Sequence, residues 1–270
     1  IPASEVSVYD QVLHPDSPDS GREYISIWEH LSPSDWVVYD PTDTAWGFSG
    51  HDWYDRAATQ TKRVAKYRAK KVIDAVRANP GAILRHSRLN AKTSHFRAEY
   101  KLTEDLLWLV RPHVADGSAM INNSSGTPHG SVVITLGEHE TDIADRAAQV
   151  FTDVFGVTPT ITPCRGTKAI KVSANSLALA MWFREMCGVK GTKRFPSWAF
   201  GLTAPQTAAL IRGWMDGDGH TNDVRTQGST AYRHLQESAA WLMRRAGKIT
   251  STFRTEGTGF GVRHHQYVVT

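Results

Sequence analysis

The residues best suited to chemistry are two aspartates, Asp116 and Asp218, each closing an apolar run and each followed by glycine. Leu106-Leu107-Trp108-Leu109 leads to Ala115-Asp116-Gly117, and Leu210-Ile211-Arg212-Gly213-Trp214-Met215 leads to Asp216-Gly217-Asp218-Gly219. Apolar runs of this kind predict two helices, and glycine lets the chain turn away at each C-terminal end. Packed side by side, such helices bring two carboxylates together where the helix dipoles are already negative, which is unfavourable unless a cation compensates. Oxygen donors select a hard ion, with Mg2+ the natural candidate and Mn2+ a substitute, and the backbone carbonyls of Ala115 and Gly217 are placed to complete the shell. An ion held this way activates water and stabilises the leaving oxygen in phosphodiester hydrolysis. A calcium loop opening at Asp216 is disfavoured, because Thr221 and Gln227 fall where glycine and a bidentate glutamate are needed.

The elements that must position this pair repeat. From Thr103 the pattern predicts a helix to Asp116, strands over Ala119–Ile121 and Ser131–Leu136, and a helix from about Glu138 to Phe155, ended by Gly156. Strands over Thr158–Thr162 and Ala169–Ser173 follow, then a helix over Asn175–Met186. The order restarts at Thr203, where Thr203 and Gln206 can form a capping box. It predicts a helix to Asp218, weak strands around Thr221–Gln227, a helix over Thr230–Arg245, and strands over Ile249–Arg254 and Phe260–Val269. The expected fold class is therefore α+β, with two αββαββα repeats related by a pseudo-two-fold axis and the last helix missing from the second. Trp108, Trp182, Trp214 and Trp241 read as core aromatics, and His264-His265 as a strand feature.

Ahead of the repeats, residues 1–50 carry short β-like runs at Tyr24–Trp28 and Trp36–Tyr39, while residues 51–100 are basic. Between residues 56 and 92, Arg56, Lys62, Arg63, Lys66, Arg68, Lys70, Lys71, Arg77, Arg85, Arg88 and Lys92 are opposed only by Asp74, although the whole chain is +4. A helix over about Trp53–Ala78, stopped by Asn79-Pro80-Gly81, would present these cations as phosphate contacts, and Lys168, Arg225 and Arg254 add cations on the repeats. The expected division is 1–50, 51–100, 101–190 and 191–270. Cys164 and Cys187 lack a pattern for a disulfide framework or zinc finger, and no apolar stretch suits a signal peptide or membrane span. These features predict a soluble intracellular protein, of cytoplasm or nucleoid, with no membrane partner.

At Leu106 to Gly117 and Leu210 to Gly219 the chain resembles the two motifs of single-chain LAGLIDADG homing endonucleases, and the likeness covers about residues 101–270. Ile134-Thr135-Leu136-Gly137-Glu138-His139-Glu140 and the linker Lys193-Arg194-Phe195-Pro196-Ser197-Trp198 are also similar to that family. The resemblance implies a monomer whose motif helices form the interface between two halves. It also implies β-saddles lying on a long asymmetric double-stranded DNA target, and Asp116 and Asp218 as metal ligands. Gly213 then takes the close-packing position. The resemblance further implies a basic residue near the end of a saddle strand, assigned to Lys171 with Lys168 as neighbour, and in the second half to Arg263 with His264 and His265 as alternatives. The first motif departs from the family pattern, with Arg111-Pro112 in place of a glycine and a large apolar residue and Val114 in place of the first acid. A proline inside a helix costs about 3 kcal/mol, and Arg111 would have to snorkel or tilt the helix pair apart. The departure keeps two alternatives open: an inactive DNA-binding descendant, or an RNA splicing helper on the same scaffold. Ile25 to Tyr39 is similar to a strand segment of intein splicing domains, yet Ile1 and Thr270 are not splicing residues, so no self-splicing is expected.

Overall fold

The computed structural model describes residues 22–33, 36–39, 70–79, 81, 83–86, 96–122, 129–221, 226–259 and 262–269. For Arg111, Gly213, Gly217, Asp218 and Arg263 the description is of the backbone alone. The expected helix over Trp53–Ala78 is described only at its end, as α1 (residues 70–78). Arg56, Lys62, Arg63, Lys66 and Arg225 lie outside the described residues.

Two helices organise the fold. α2 (Glu104–Asp116) starts where the Thr103 side chain accepts from the Leu106 N–H at 3.2 Å, with Glu104 and Asp105 in its first turn facing the positive end of the dipole. Leu106 through Val110 are all buried, so this helix is apolar around its circumference and sits inside the core. α5 (Ala204–Asp218) opens with the expected capping box: Thr203 N donates to Gln206 Oε1 at 3.0 Å, and Gln206 N to Thr203 Oγ1 at 3.4 Å. Leu210, Ile211 and Trp214 are its buried side. Among the described residues α2 and α5 make the most extensive helix–helix packing. The helix runs unbroken through Pro112, which is buried, and α2 stays packed against α5.

Each helix feeds an antiparallel four-stranded sheet. After α2 come β6 (Ser118–Asn122), β7 (His129–Gly137), α3 (Thr141–Phe155), β8 (Thr160–Pro163), β9 (Ala169–Asn175) and α4 (Leu177–Cys187), with sheet order β6-β7-β9-β8. After α5 come β10 (Gly219–Thr221), β11 (Thr226–Thr230), α6 (Arg233–Arg245), β12 (Thr252–Gly259) and β13 (Val262–Val269), with order β10-β11-β13-β12. In both halves the strands stand in the sequence first, second, fourth, third. α3 begins at Thr141 and α6 at Arg233, three residues later than the sequence suggests in each case. The residues before α3 are used otherwise, since Glu140 Oε2 accepts from the Gly137 N–H at 2.6 Å and closes a turn. Gly156 ends α3 in the left-handed conformation at φ 64°, as its sequence position predicts.

Helices cover one face of the first sheet, where Val132, Ile134, Val172 and Ala174 are buried. The alternate residues Ser118, Met120, Thr160, Thr162, Lys171 and Asn175 are on the other face, which is mostly exposed.

The N-terminal strands pair across residue 50: β1 (Tyr24–Ser26) with β5 (Glu99–Lys101), and β2 (Trp36–Tyr39) with β3 (Ile83–His86), which also pairs β4 (Phe96–Arg97). Strands from residues 1–50 thus pair with strands from residues 83–101. A continuous aromatic stack joins them to the first half, from Trp36 on Phe96 at 5.2 Å to Tyr100 on Trp182 at 5.3 Å and Phe155 beyond. Trp182 and Trp214 are fully buried and Trp108 nearly so, whereas Trp241 is partly buried beneath Arg245 and Phe200.

Candidate metal centre and nucleic-acid face

Asp116 is the last residue of α2 and Asp218 the last of α5. Asp116 lines a cleft of about 410 Å³ with its neighbours Ala115, Gly117 and Ser118, with Lys190 and Lys193 of the linker, and with Ser229 and Thr230 of the second half. The strand that leaves Asp218 borders the same region, because Gly219 pairs with Gly228, next to Ser229. Asp116 also lines a hollow of about 300 Å³ with Pro112, Thr135, Gly137, Glu140 and Ala169 of its own half. It therefore stands between the two sheets.

Only glycine fits after Asp116. A Cβ at Gly117 would lie 2.4 Å from His113 Cα and 2.7 Å from His113 O, both backbone, because the Gly117 N–H folds back to His113 O at 3.0 Å. His113, one turn earlier, is buried to 1 % exposure, packs edge-on against Phe183, and its Nδ1 has no hydrogen-bond partner among the described residues. Burial, with Lys193 adding to it, lowers its pKa to about 3, so the imidazole is neutral.

Lys193, in the family-like linker Lys193-Arg194-Phe195-Pro196-Ser197-Trp198, carries no signal in the sequence that marks it for the site. Its Nζ donates to the Ala115 carbonyl at 2.6 Å. The backbone holding it is fixed on both sides. Arg194 N donates to Cys187 O at 2.9 Å, and His234 Nε2 donates to Lys193 O at 2.6 Å. Gly191 N donates to the Tyr232 hydroxyl at 3.0 Å, and Gly188 and Gly191 turn the linker at φ 76° and 92°. The linker is thus pinned to the start of α6 while its ammonium reaches the end of α2.

This chemistry fits a hard cation. The Asp116 carboxyl is raised above its usual range, first by desolvation and then by Glu140, against the lowering influence of Lys193, so its negative charge is held at a cost that a cation would relieve. The carbonyl of Ala115, expected as a further ligand, is engaged by Lys193. No group of three or more His, Cys, Asp or Glu side chains suited to a metal occurs among the described residues.

Lys171 is exposed on the open face of β9, paired with Thr135, which lines the Asp116 hollow. Its expected counterpart, Arg263, is displaced. With Asp116 matched to Asp218, Ser118 corresponds to His220; their partners Val133 and Gln227 match, hence Thr135 matches Ser229, and Lys171 matches Val268. Arg263 lies five residues further back, opposite Thr258 near the β12–β13 turn, roughly 16 Å away at ~3.3 Å per residue. β12 and β13 are each eight residues long, and Arg263 falls at the far end of the hairpin. Lys168 is exposed in the β8–β9 turn, where its carbonyl accepts from the Glu138 N–H, and Arg254 is exposed on β12 opposite Tyr267. Lys70 and Lys71 are exposed on α1 while Val72 and Val76 are buried, so this helix directs its cations outward. Gly213 and Gly217 lie on α5.

No protein-family model matches the chain. Among curated proteins it is 29% identical over 94 residues to a DNA polymerase of Thermococcus kodakarensis, covering 35% of this chain and 5% of that protein. It is 30% identical over 148 residues to an iron-sulfur cluster assembly SufBD family protein of Mycobacterium leprae, covering 51% of this chain and 15% of that protein. The chain therefore spans only a small part of each curated relative. Among solved structures it is similar to I-DmoI in complex with DNA and Mn, at TM-score 0.45 and 16% identity over 62% of this chain and 89% of that one. It is also similar to the homing endonuclease I-WcaI bound to its DNA recognition sequence, at TM-score 0.32 and 14% identity over 62% and 76%.

Proposed function

We propose that this chain is a divalent-metal-dependent, site-specific DNA endonuclease of the LAGLIDADG homing type. The observation that carries the reading is the pairing of α2 and α5, each bearing a family-like motif, each ending in an aspartate, and each opening a sheet of the same strand order. Two such halves related by a pseudo-dyad present two open sheet faces to a duplex, which suits one monomer reading a long asymmetric target. Asp116 and Asp218, with the Gly217 carbonyl, would hold Mg2+ or Mn2+, which when bound supplies an activated water and charge neutralisation at the phosphate. Lys171 would donate to a backbone phosphate beside Asp116, and Lys193 supplies a second cation at the same cleft. Exposed Lys70 and Lys71 extend the phosphate contacts beyond the sheets, with Arg56, Lys62, Arg63 and Lys66 continuing that role. An intein-derived origin is the finer reading, carried by the likeness of Ile25 to Tyr39 to a splicing-domain strand segment. Free Cys164 and Cys187 suit a reducing, intracellular setting.

The test is cleavage of a plasmid carrying the uninterrupted host-gene junction, with and without Mg2+, by the native chain and by Asp218→Asn. Mg2+-dependent linearisation abolished by the substitution is the expected result. Tight binding with no cut in Mg2+ or Mn2+ identifies a binding-only descendant, and preference for structured intron RNA over the duplex identifies a splicing helper; either outcome overturns the nuclease reading.

A further inference from the structure

Resting on the metal site proposed above, we infer that Lys193 is a built-in competitor of the metal: in the metal-free protein its ammonium takes the Ala115 carbonyl and sits beside the Asp116 carboxylate, and a divalent ion must displace it to bind there. Three observations converge on this. The Nζ to Ala115 O hydrogen bond is short, at 2.6 Å, and the acceptor is the backbone oxygen adjoining the metal carboxylate. Lys193 and Asp116 line one cleft together with Lys190, and Glu140 stands on the other side of Asp116. The reach of the side chain is also set in advance. The Lys193 carbonyl is held by His234 and the next N–H by Cys187, so both flanks of the residue are anchored before the ammonium meets α2.

The physical role follows from where α2 ends. Its terminal carbonyls and Asp116 concentrate negative charge. His113 one turn below is buried and neutral, so it supplies no compensation. An ammonium on the Ala115 carbonyl supplies it, which stabilises the helix pair without metal. It also weakens the site for metal, because one ligand oxygen is occupied and a like charge stands close by.

The test uses the full chain without DNA. Mn2+ binding is followed by the loss of the free-ion EPR signal and by calorimetry for the native protein, Lys193→Met, Asp116→Asn and the double variant. Lys193→Met keeps the length of the side chain without its charge, and Lys193→Gln serves as a second variant should the first not fold. The expected result is Mn2+ affinity about tenfold tighter in Lys193→Met, with no tightening in the Asp116→Asn background. The metal-free melting temperature of Lys193→Met should also fall below that of the native protein, with the gap closing at saturating Mn2+. Unchanged or weaker affinity in Lys193→Met and Lys193→Gln, while Asp116→Asn still abolishes binding, overturns the competitor role and leaves the metal site standing. Mn2+ binding that is insensitive to Asp116→Asn in every variant overturns the metal site, and this inference with it.

Discussion

Replacing His113 by phenylalanine should remove a specific pH dependence of stability. The imidazole is 1 % exposed, its Nδ1 has no partner among the described residues, and its pKa is lowered to about 3 from 6.5, first by burial and then by Lys193. In the unfolded chain the same ring titrates at 6.5, so below that pH the unfolded state binds a proton that the folded state refuses. Stability is therefore complete above pH 6.5 and is lost as pH falls toward 3, at about 1.4 kcal/mol per pH unit, or about 2 kcal/mol by pH 5. Phenylalanine suits the edge-on contact with Phe183 at 4.8 Å and carries no proton. Urea unfolding of both proteins at pH 7.5, 6 and 5 measures the effect. The native midpoint should fall relative to the variant's by roughly 1 M across that range, for an m value of about 2 kcal/mol/M. His30, also lowered chiefly by burial, contributes equally to both proteins and cancels in the comparison. Parallel midpoints would show that His113 protonates freely in the folded state and would refute the placement of this ring beneath Asp116.

Gly117→Ala should lower stability by about 1 to 3 kcal/mol, read as a drop in melting temperature, because the new methyl meets the His113 backbone at 2.4 Å and neither group can step aside. Trp182→Ala should cost about 3 to 5 kcal/mol in chemical denaturation, since Trp182 is fully buried and touches Phe96, Tyr100, Phe155 and Phe183 at once. Replacing Lys70 and Lys71 together by alanine should reduce the slope of log binding constant against log salt by about 1.8 if both neutralise phosphates; an unchanged slope removes α1 from the DNA contact.

What was legible in the sequence was mostly local. The Thr203–Gln206 box, the glycine after α3 and the two apolar runs ending in aspartate are encoded by residues close in the chain, and each appears where expected. Non-local pairing was harder to read. Tyr24–Ser26 finds its partner at Glu99–Lys101, and nothing in either strand names the other. Arg263 is the full-time cation that the sequence offers on the matching strand, with His264 and His265 as alternatives, whereas the strand register, which sequence does not reveal, sets Val268 opposite Ser229. Pro112 carries an intrinsic helix penalty. The surrounding burial of Leu106 through Val110 and Val114 keeps α2 helical nevertheless, a case of tertiary packing overriding local preference. Lys193 lay in a noted linker, but its approach to Ala115 depends on two left-handed glycine turns and on anchors from α6, none of which is visible in spacing.

The central claim is that the ends of α2 and α5 share one metal site. The most direct measurement loads the full chain with Fe2+ in place of Mg2+, adds ascorbate and oxygen, and maps where the locally generated radicals cut the polypeptide. The account predicts cuts at both helix ends, around Asp116 and around Asp218, with both sets lost on either Asp116→Asn or Asp218→Asn. Cuts at one end that survive loss of the other aspartate, or cuts elsewhere, would contradict it.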